Sequence, residues 1–254
     1  MINFIRQLEQ RNSLLFWFGL YNFIIAITCL LLMPFDHAQV LGVSRWLKPM
    51  KFYFAVGIMT WSMGWYLYYL DNTIKVRRYS WLIASTMFFE NGFILMQAFR
   101  KTTSHFNNST SFNSITFSLM GIMILIFTVT CIFITVTFFR QRQFAIPAPY
   151  LWGIRLGLVF FVLFSLEGGM MLSLLKHTIG GPDGGPGIPV MNWSKYQGDL
   201  RTAHFFGIHS LQILQLLGFY VAKTKKRLVF FSIVYFVIVA GVFVQALAGI
   251  PLFF

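Results

Sequence analysis

Acidic side chains are scarce in this chain: 7 of its 254 residues are Asp or Glu, against 20 Lys or Arg. Charged residues of either sign make up only 11% while 57% are hydrophobic, a balance that excludes an ordinary soluble domain. Cysteine is nearly absent. Cys29 and Cys131 both lie inside apolar runs, neither in a C-x-x-C or other metal-type spacing, so both read as packing residues. Strands that alternate apolar and polar residues are missing, which excludes a membrane β-barrel and leaves helices. No small-x-small cleavage site follows the first apolar run, so a retained anchor is expected there rather than a signal peptide. No internal repeat is visible, which weakens an inverted-repeat transporter.

What the chain does have is apolar length. Seven runs are long enough to span a bilayer: Ser13–Phe35, Lys51–Leu70, Tyr79–Phe99, Phe112–Phe139, Tyr150–Leu174, Leu200–Ala222 and Leu228–Ala248. About 20 helical residues cover a hydrocarbon core about 30 Å thick. The expected fold is therefore all-α, a polytopic membrane helix bundle of about seven transmembrane helices forming a single domain over 1–254. Only 175–199 is a long connection, rich in Gly and Pro between Gly180 and Pro189. It reads as a connector or a shaped lid, and its single Asp supplies too few oxygen ligands for a calcium loop. The run Phe112–Phe139 is free of charge and rich in Thr, whose hydroxyls can bond back to helix carbonyls, so it is expected at the periphery.

The net charge of +13 is spread over short loops, which points to lipid headgroups rather than nucleic acid as the partner. Twelve Lys and Arg fall on the N-terminal side of the alternating spans and eight on the other. The positive-inside rule then places the N-terminus in the cytoplasm and the C-terminus outside, with Lys223–Arg227 the strongest single signal.

One run is polar as well as long enough to span. Between Gly198 and Gln215 it carries Arg201, His204, His209, Gln212 and Gln215, which at about 100° per residue fall within an arc of about 140°. Polar and ionisable residues at membrane depth are costly and usually functional. Counting residues along alternating spans brings Glu167, Gln97, Gln245, Asp199 and Arg201 to the external side, with Glu90 and His209 near the middle. Lys48 and Lys51 begin the second run on that same side, and His37, His105 and His177 fall on external connections. A polar cavity open on the C-terminal side is the expectation. Each member has a plainer reading: Lys48 and Lys51 as snorkelling anchors, the glutamines as helix-to-helix glue, Asp199 as the cap of the sixth helix. Glu90 and Glu167 must pair with a cation or hold a proton.

Three chemistries compete. The first is binding or movement of a small polar or anionic solute with proton exchange through Glu90, Glu167, His204 and His209. The second is a haem or metal site using His204 or His209 with Glu167. At i and i+5, however, the two rings diverge by about 140°, so other helices would have to supply ligands. The third is a sensory or assembly role with a purely structural polar cluster. A zinc hydrolase of the ceramidase kind is rejected because the chain has H-x-x-x-x-H where that class has H-x-x-x-H, and retinal is disfavoured because the seventh run has no internal Lys.

Two stretches, Trp46-Leu47-Lys48-Pro49-Met50-Lys51-Phe52 and Gly198-Asp199-Leu200-Arg201 continuing through His204, Gly207, His209 and Gln212, resemble a family of uncharacterised bacterial polytopic membrane proteins. The resemblance runs over most of the chain. It implies a bacterial plasma-membrane location and brings no activity with it.

Overall fold

The computed structural model describes residues 2–253. Among them are α1 (Ile2–Arg11), α2 (Ser13–Leu32), β1 (Gln39–Val40), β2 (Val43–Ser44), α3 (Leu47–Leu67), α4 (Thr73–Phe99) and α5 (Ser111–Arg140). After these come α6 (Ala148–Leu174), β3 (Thr178–Ile179), β4 (Gly198–Asp199), α7 (Leu200–Leu216) with a π-helical extension over Leu217–Val221, and α8 (Lys225–Leu247). The chain divides into two compact units, Met1–Ile134 and Thr135–Phe254, with the boundary inside α5. Among the described residues five helices are long and apolar enough to cross a membrane: α2, α4, α5, α6 and α8. They fit an integral membrane protein built of helices. The second and sixth apolar runs form α3 and α7, which are outside this group. α3 opens with Lys48 and Lys51, and α7 holds only 17 residues of α-helix before the π turn.

Helix starts follow local chemistry. The side chains of Asn12, Asn72, Asp199 and Thr224 each accept a backbone N–H from the first turn that follows, satisfying donors that have no partner within the helix. The expected capping role of Asp199 is thus present. In α5 the hydroxyls of Thr116 and Thr130 bond back to Phe112 and Ile126, as the threonine-rich sequence suggested. α1 was not anticipated. It is a short amphipathic helix whose Leu8 is fully buried and whose Arg11 guanidinium lies 3.7 Å from the Trp65 ring centroid and donates to the Tyr69 hydroxyl.

In the first unit α2 packs along α3, where small residues admit large ones. A Cβ at Gly19 would lie 2.2 Å from the Trp61 ring, and one at Gly57 would lie 2.7 Å from Phe23. Trp61 Nε1 donates to Phe16 O at 3.0 Å across the same seam. The α2–α3 connection is a β-hairpin whose turn, Leu41 and Gly42, has positive φ at both residues, the geometry that matches strand twist. Asp36 fastens it by accepting from Ala38 N (3.0 Å), Arg45 Nε (2.5 Å) and Trp46 Nε1 (2.7 Å). The backbone donor, together with Arg45 and Trp46, outweighs burial and lowers the Asp36 carboxyl below its ordinary range.

The second unit is built on an α6–α7 contact of the small-xxx-small kind. Gly153 and Gly157, one turn apart on α6, let the α7 backbone approach closely: an added Cβ would sit 2.6 Å from Leu214 O or 2.9 Å from Ser210 O. Ser210 Oγ donates to Gly157 O at 3.1 Å. α8 closes the unit, with Val239 packed beside Phe164 and Ala203 and with the Tyr235 hydroxyl donating to Phe206 O. Each unit repeats one order of elements: a long helix, a connection containing a two-stranded antiparallel pairing, a second helix, a short loop and a third helix. The sequence shows no such repeat because the resemblance is in element order, with connections of different length.

Candidate functional site

The polar residues form clusters within each unit. Glu90, Gln97, Lys48 and Lys51 belong to the first unit. Glu167, Asp199, Arg201, His204, His209, Gln212 and Gln245 belong to the second.

In the first unit Glu90 sits mid-helix on α4, 2% exposed, and its Oε2 has no hydrogen-bond partner among the described residues. His105, from the loop after α4, places Nε2 3.7 Å from Glu90 Oε1. Its Nδ1 lies 3.2 Å from Lys48 Nζ and 3.0 Å from Ser104 Oγ. A charged ammonium can only donate, so Nδ1 accepts and the ring proton of neutral His105 rests on Nε2, facing the carboxyl. Phe52, Phe106 and Phe117 surround the imidazole at ring distances of 5.8–6.4 Å. The sequence placed His105 on an external connection and left it out of the site. Its position depends on the loop folding back through positive-φ residues Lys101 and Phe106, for which no spacing rule exists.

Gln97 does other work. Its Nε2 donates to Asn113 Oδ1 (3.0 Å) and its Oε1 accepts from Arg100 Nη1 (2.7 Å), so it joins α4 to the start of α5. Lys51 is half-buried on α3.

In the second unit the backbone carbonyl of Phe164 accepts from His204 Nδ1 at 2.8 Å. A carbonyl cannot donate, so Nδ1 carries the proton and Nε2 is the basic nitrogen. Glu167 Oε2 stands 3.3 Å from the same Nδ1, and neither buried carboxyl oxygen has a hydrogen-bond partner among the described residues. The next residue is Gly168, where a Cβ would come within 3.1 Å of His204 Cε1, so the glycine leaves room for the ring. One and a half turns on, His209 Nδ1 lies 3.2 Å from Gln212 Oε1 and its ring packs 4.4 Å from Phe205. The two histidines of α7 therefore take different partners.

Asp199 and Arg201 hold the connection 175–199 to α7. Asp199, 2% exposed, accepts from Arg201 N (3.1 Å), Arg201 Nε (2.9 Å), Arg201 Nη2 (2.6 Å) and Ser194 N (2.8 Å). Arg201 Nη2 also reaches Asn192 O at 2.7 Å. A second clamp lies at the other end, where Asp183 accepts from the backbone N–H groups of His177 and Thr178 and lies 2.8 Å from His177 Nδ1. Burial opposes its ionisation, but these hydrogen bonds and the His177 charge prevail and hold the carboxyl far below its ordinary value. Gln245 Nε2 donates to Pro251 O at 2.5 Å and secures the turn after α8.

Among the described residues no group of three or more His, Cys, Asp or Glu side chains is placed to hold a metal ion. What the geometry does provide is a buried carboxyl beside an imidazole, once in each unit. Comparison with protein-family models, curated proteins and solved structures finds no match to this chain.

Proposed function

We propose that the protein is a multi-pass protein of a bacterial plasma membrane, with seven spans, a cytoplasmic N-terminus and an external C-terminus. In this reading it binds or moves a small polar or anionic solute and exchanges protons through Glu–His pairs. One observation carries it: Glu167, whose carboxyl oxygens are buried with no hydrogen-bond partner among the described residues, stands 3.3 Å from His204 on the neighbouring helix. A structural ion pair would have its lone pairs satisfied, because an unsatisfied buried carboxylate is expensive. Polar groups left unsatisfied within a spanning helix are by default functional. The Glu90–His105 pair supports the same reading, with Lys48 beside it as a positive charge that attracts an anion.

The direct test uses purified protein in liposomes that enclose a pH-sensitive dye. Citrate, glutamate and inorganic phosphate are added outside in turn. A solute-dependent proton flux is expected with at least one of these anions. Glu167→Gln and His204→Gln should each reduce it at least about tenfold. Flux that is unchanged in Glu167→Gln would remove the carboxyl from the mechanism.

A further inference from the structure

We infer that the turn between α7 and α8 is a binding site for the phosphodiester headgroup of an anionic phospholipid. Four cations lie within five residues there: Lys223, Lys225, Lys226 and Arg227. The second unit contains only three acidic residues, and each stands beside a partner elsewhere: Glu167 with His204, Asp183 with His177 and Asp199 with Arg201. The turn thus carries a concentrated positive charge for which no acidic side chain among this unit's described residues is a counter-ion.

The local backbone sorts three of the four cations. Gly218, in the π turn, lies against the first turn of α6, where a Cβ would come 2.5 Å from Pro149 O. Thr224 then caps α8 by accepting from Arg227 N at 3.3 Å. Lys225 turns toward α6, with Nζ 3.8 Å from the Trp152 ring centroid. Lys226 and Arg227 instead line an open cleft of about 510 Å³ together with Val221, Phe230 and Phe231.

Helical spacing makes that cleft two parallel rows, Lys226 over Phe230 and Arg227 over Phe231, each pair four residues apart. Each row sets the backbone of a cationic residue about 6 Å along the helix axis from that of an aromatic one. A phospholipid has the same order along its length, an anionic headgroup followed by glycerol and acyl carbon. A free anion would use the cations and leave the rings without a role, so the lipid is the better match. Basic clusters at the membrane surface attract anionic lipid at about 1 kcal/mol per Lys or Arg, which is about fivefold in binding for each charge.

The test is native mass spectrometry of the full-length protein released from detergent micelles, titrated with phosphatidylglycerol or phosphatidylcholine. Phosphatidylglycerol should be retained preferentially. Lys226→Gln and Arg227→Gln should each weaken it about fivefold and the double variant about 25-fold. Phe230→Ala with Phe231→Ala should also lower retention. Both cations are exposed, and an unchanged thermal midpoint establishes that the variants fold. Equal retention of the two lipids, or a double variant that binds as the parent does, overturns the proposal. So does an equal loss from Lys75→Gln with Arg77→Gln in the other unit, because diffuse charge would then account for the effect. Thermal stabilisation by inorganic phosphate equal to that by phosphatidylglycerol assigns the cleft to a free anion and overturns the lipid.

Discussion

Replacing Asp199 by Asn tests whether this residue is a staple or part of a solute site. The substitution keeps the shape and removes the charge. In the native protein each carboxylate oxygen serves two donors: Oδ1 takes Arg201 N and Nε, and Oδ2 takes Ser194 N and Arg201 Nη2. Whichever oxygen becomes an amide nitrogen, two donors lose their acceptor and face a third donor. The Arg201 guanidinium, 30% exposed, then keeps its charge beside a neutral group. Breaking a largely buried, hydrogen-bonded pair of this kind costs about 3–5 kcal/mol. At about 2–4 °C per kcal/mol for a chain of this size, the thermal midpoint should fall by about 6–20 °C. Intrinsic tryptophan fluorescence during heating of the purified protein measures it, and Trp193 beside the staple reports locally. Arg201→Gln should cost less, because Asp199 retains its two backbone donors. A midpoint for Asp199→Asn within about 2 °C of the parent, or costs of the two variants that simply add in the double variant, would refute the assignment.

Two more outcomes follow from other contacts. Asp183 is held below its ordinary pKa, so the stability it contributes is complete above the unfolded value of about 3.9 and is lost only as pH falls through the lower folded value. Resistance of 176–184 to proteolysis should therefore be level from pH 7 to about pH 4, and His177→Gln should move the onset of loss upward toward pH 4. Gly153→Ala sets a Cβ against Leu214 O and should destabilise by about 1–3 kcal/mol, while Gly169→Ala, with open space around it, should be neutral or gain up to about 1 kcal/mol. Thermal midpoints of the two variants decide the comparison.

Helix positions were legible in the sequence because their causes are local. An apolar run long enough to span is visible without knowing its neighbours, and a cap such as Asp199 acts on N–H groups within its own turn. The α6–α7 seam was legible in principle too, since Gly153-Ile154-Arg155-Leu156-Gly157 has the spacing by which membrane helices approach closely. Other features escaped for physical reasons. α1 is too short and too polar to register as a span. The depth count placed Gln97, Gln245, Asp199 and Arg201 at one level but could not say what they touch. Their partners lie within sixteen residues along the chain, but on or just beyond loops whose course depends on single residues of positive φ.

Helices apolar and long enough to cross a membrane, with Glu90, Glu167, His204 and His209 within helical segments, are readable from the sequence alone, because hydropathy and helix length act residue by residue. Which of them meet is a matter of tertiary packing. It joined Glu167 to His204 and Glu90 to His105, and committed Asp199 and Arg201 to each other. Such meetings depend on the rotation of each helix about its axis and on the path of each loop. Both are set by packing, as when Gly153, Gly157 and Gly168 bring α7 and its histidine close to α6.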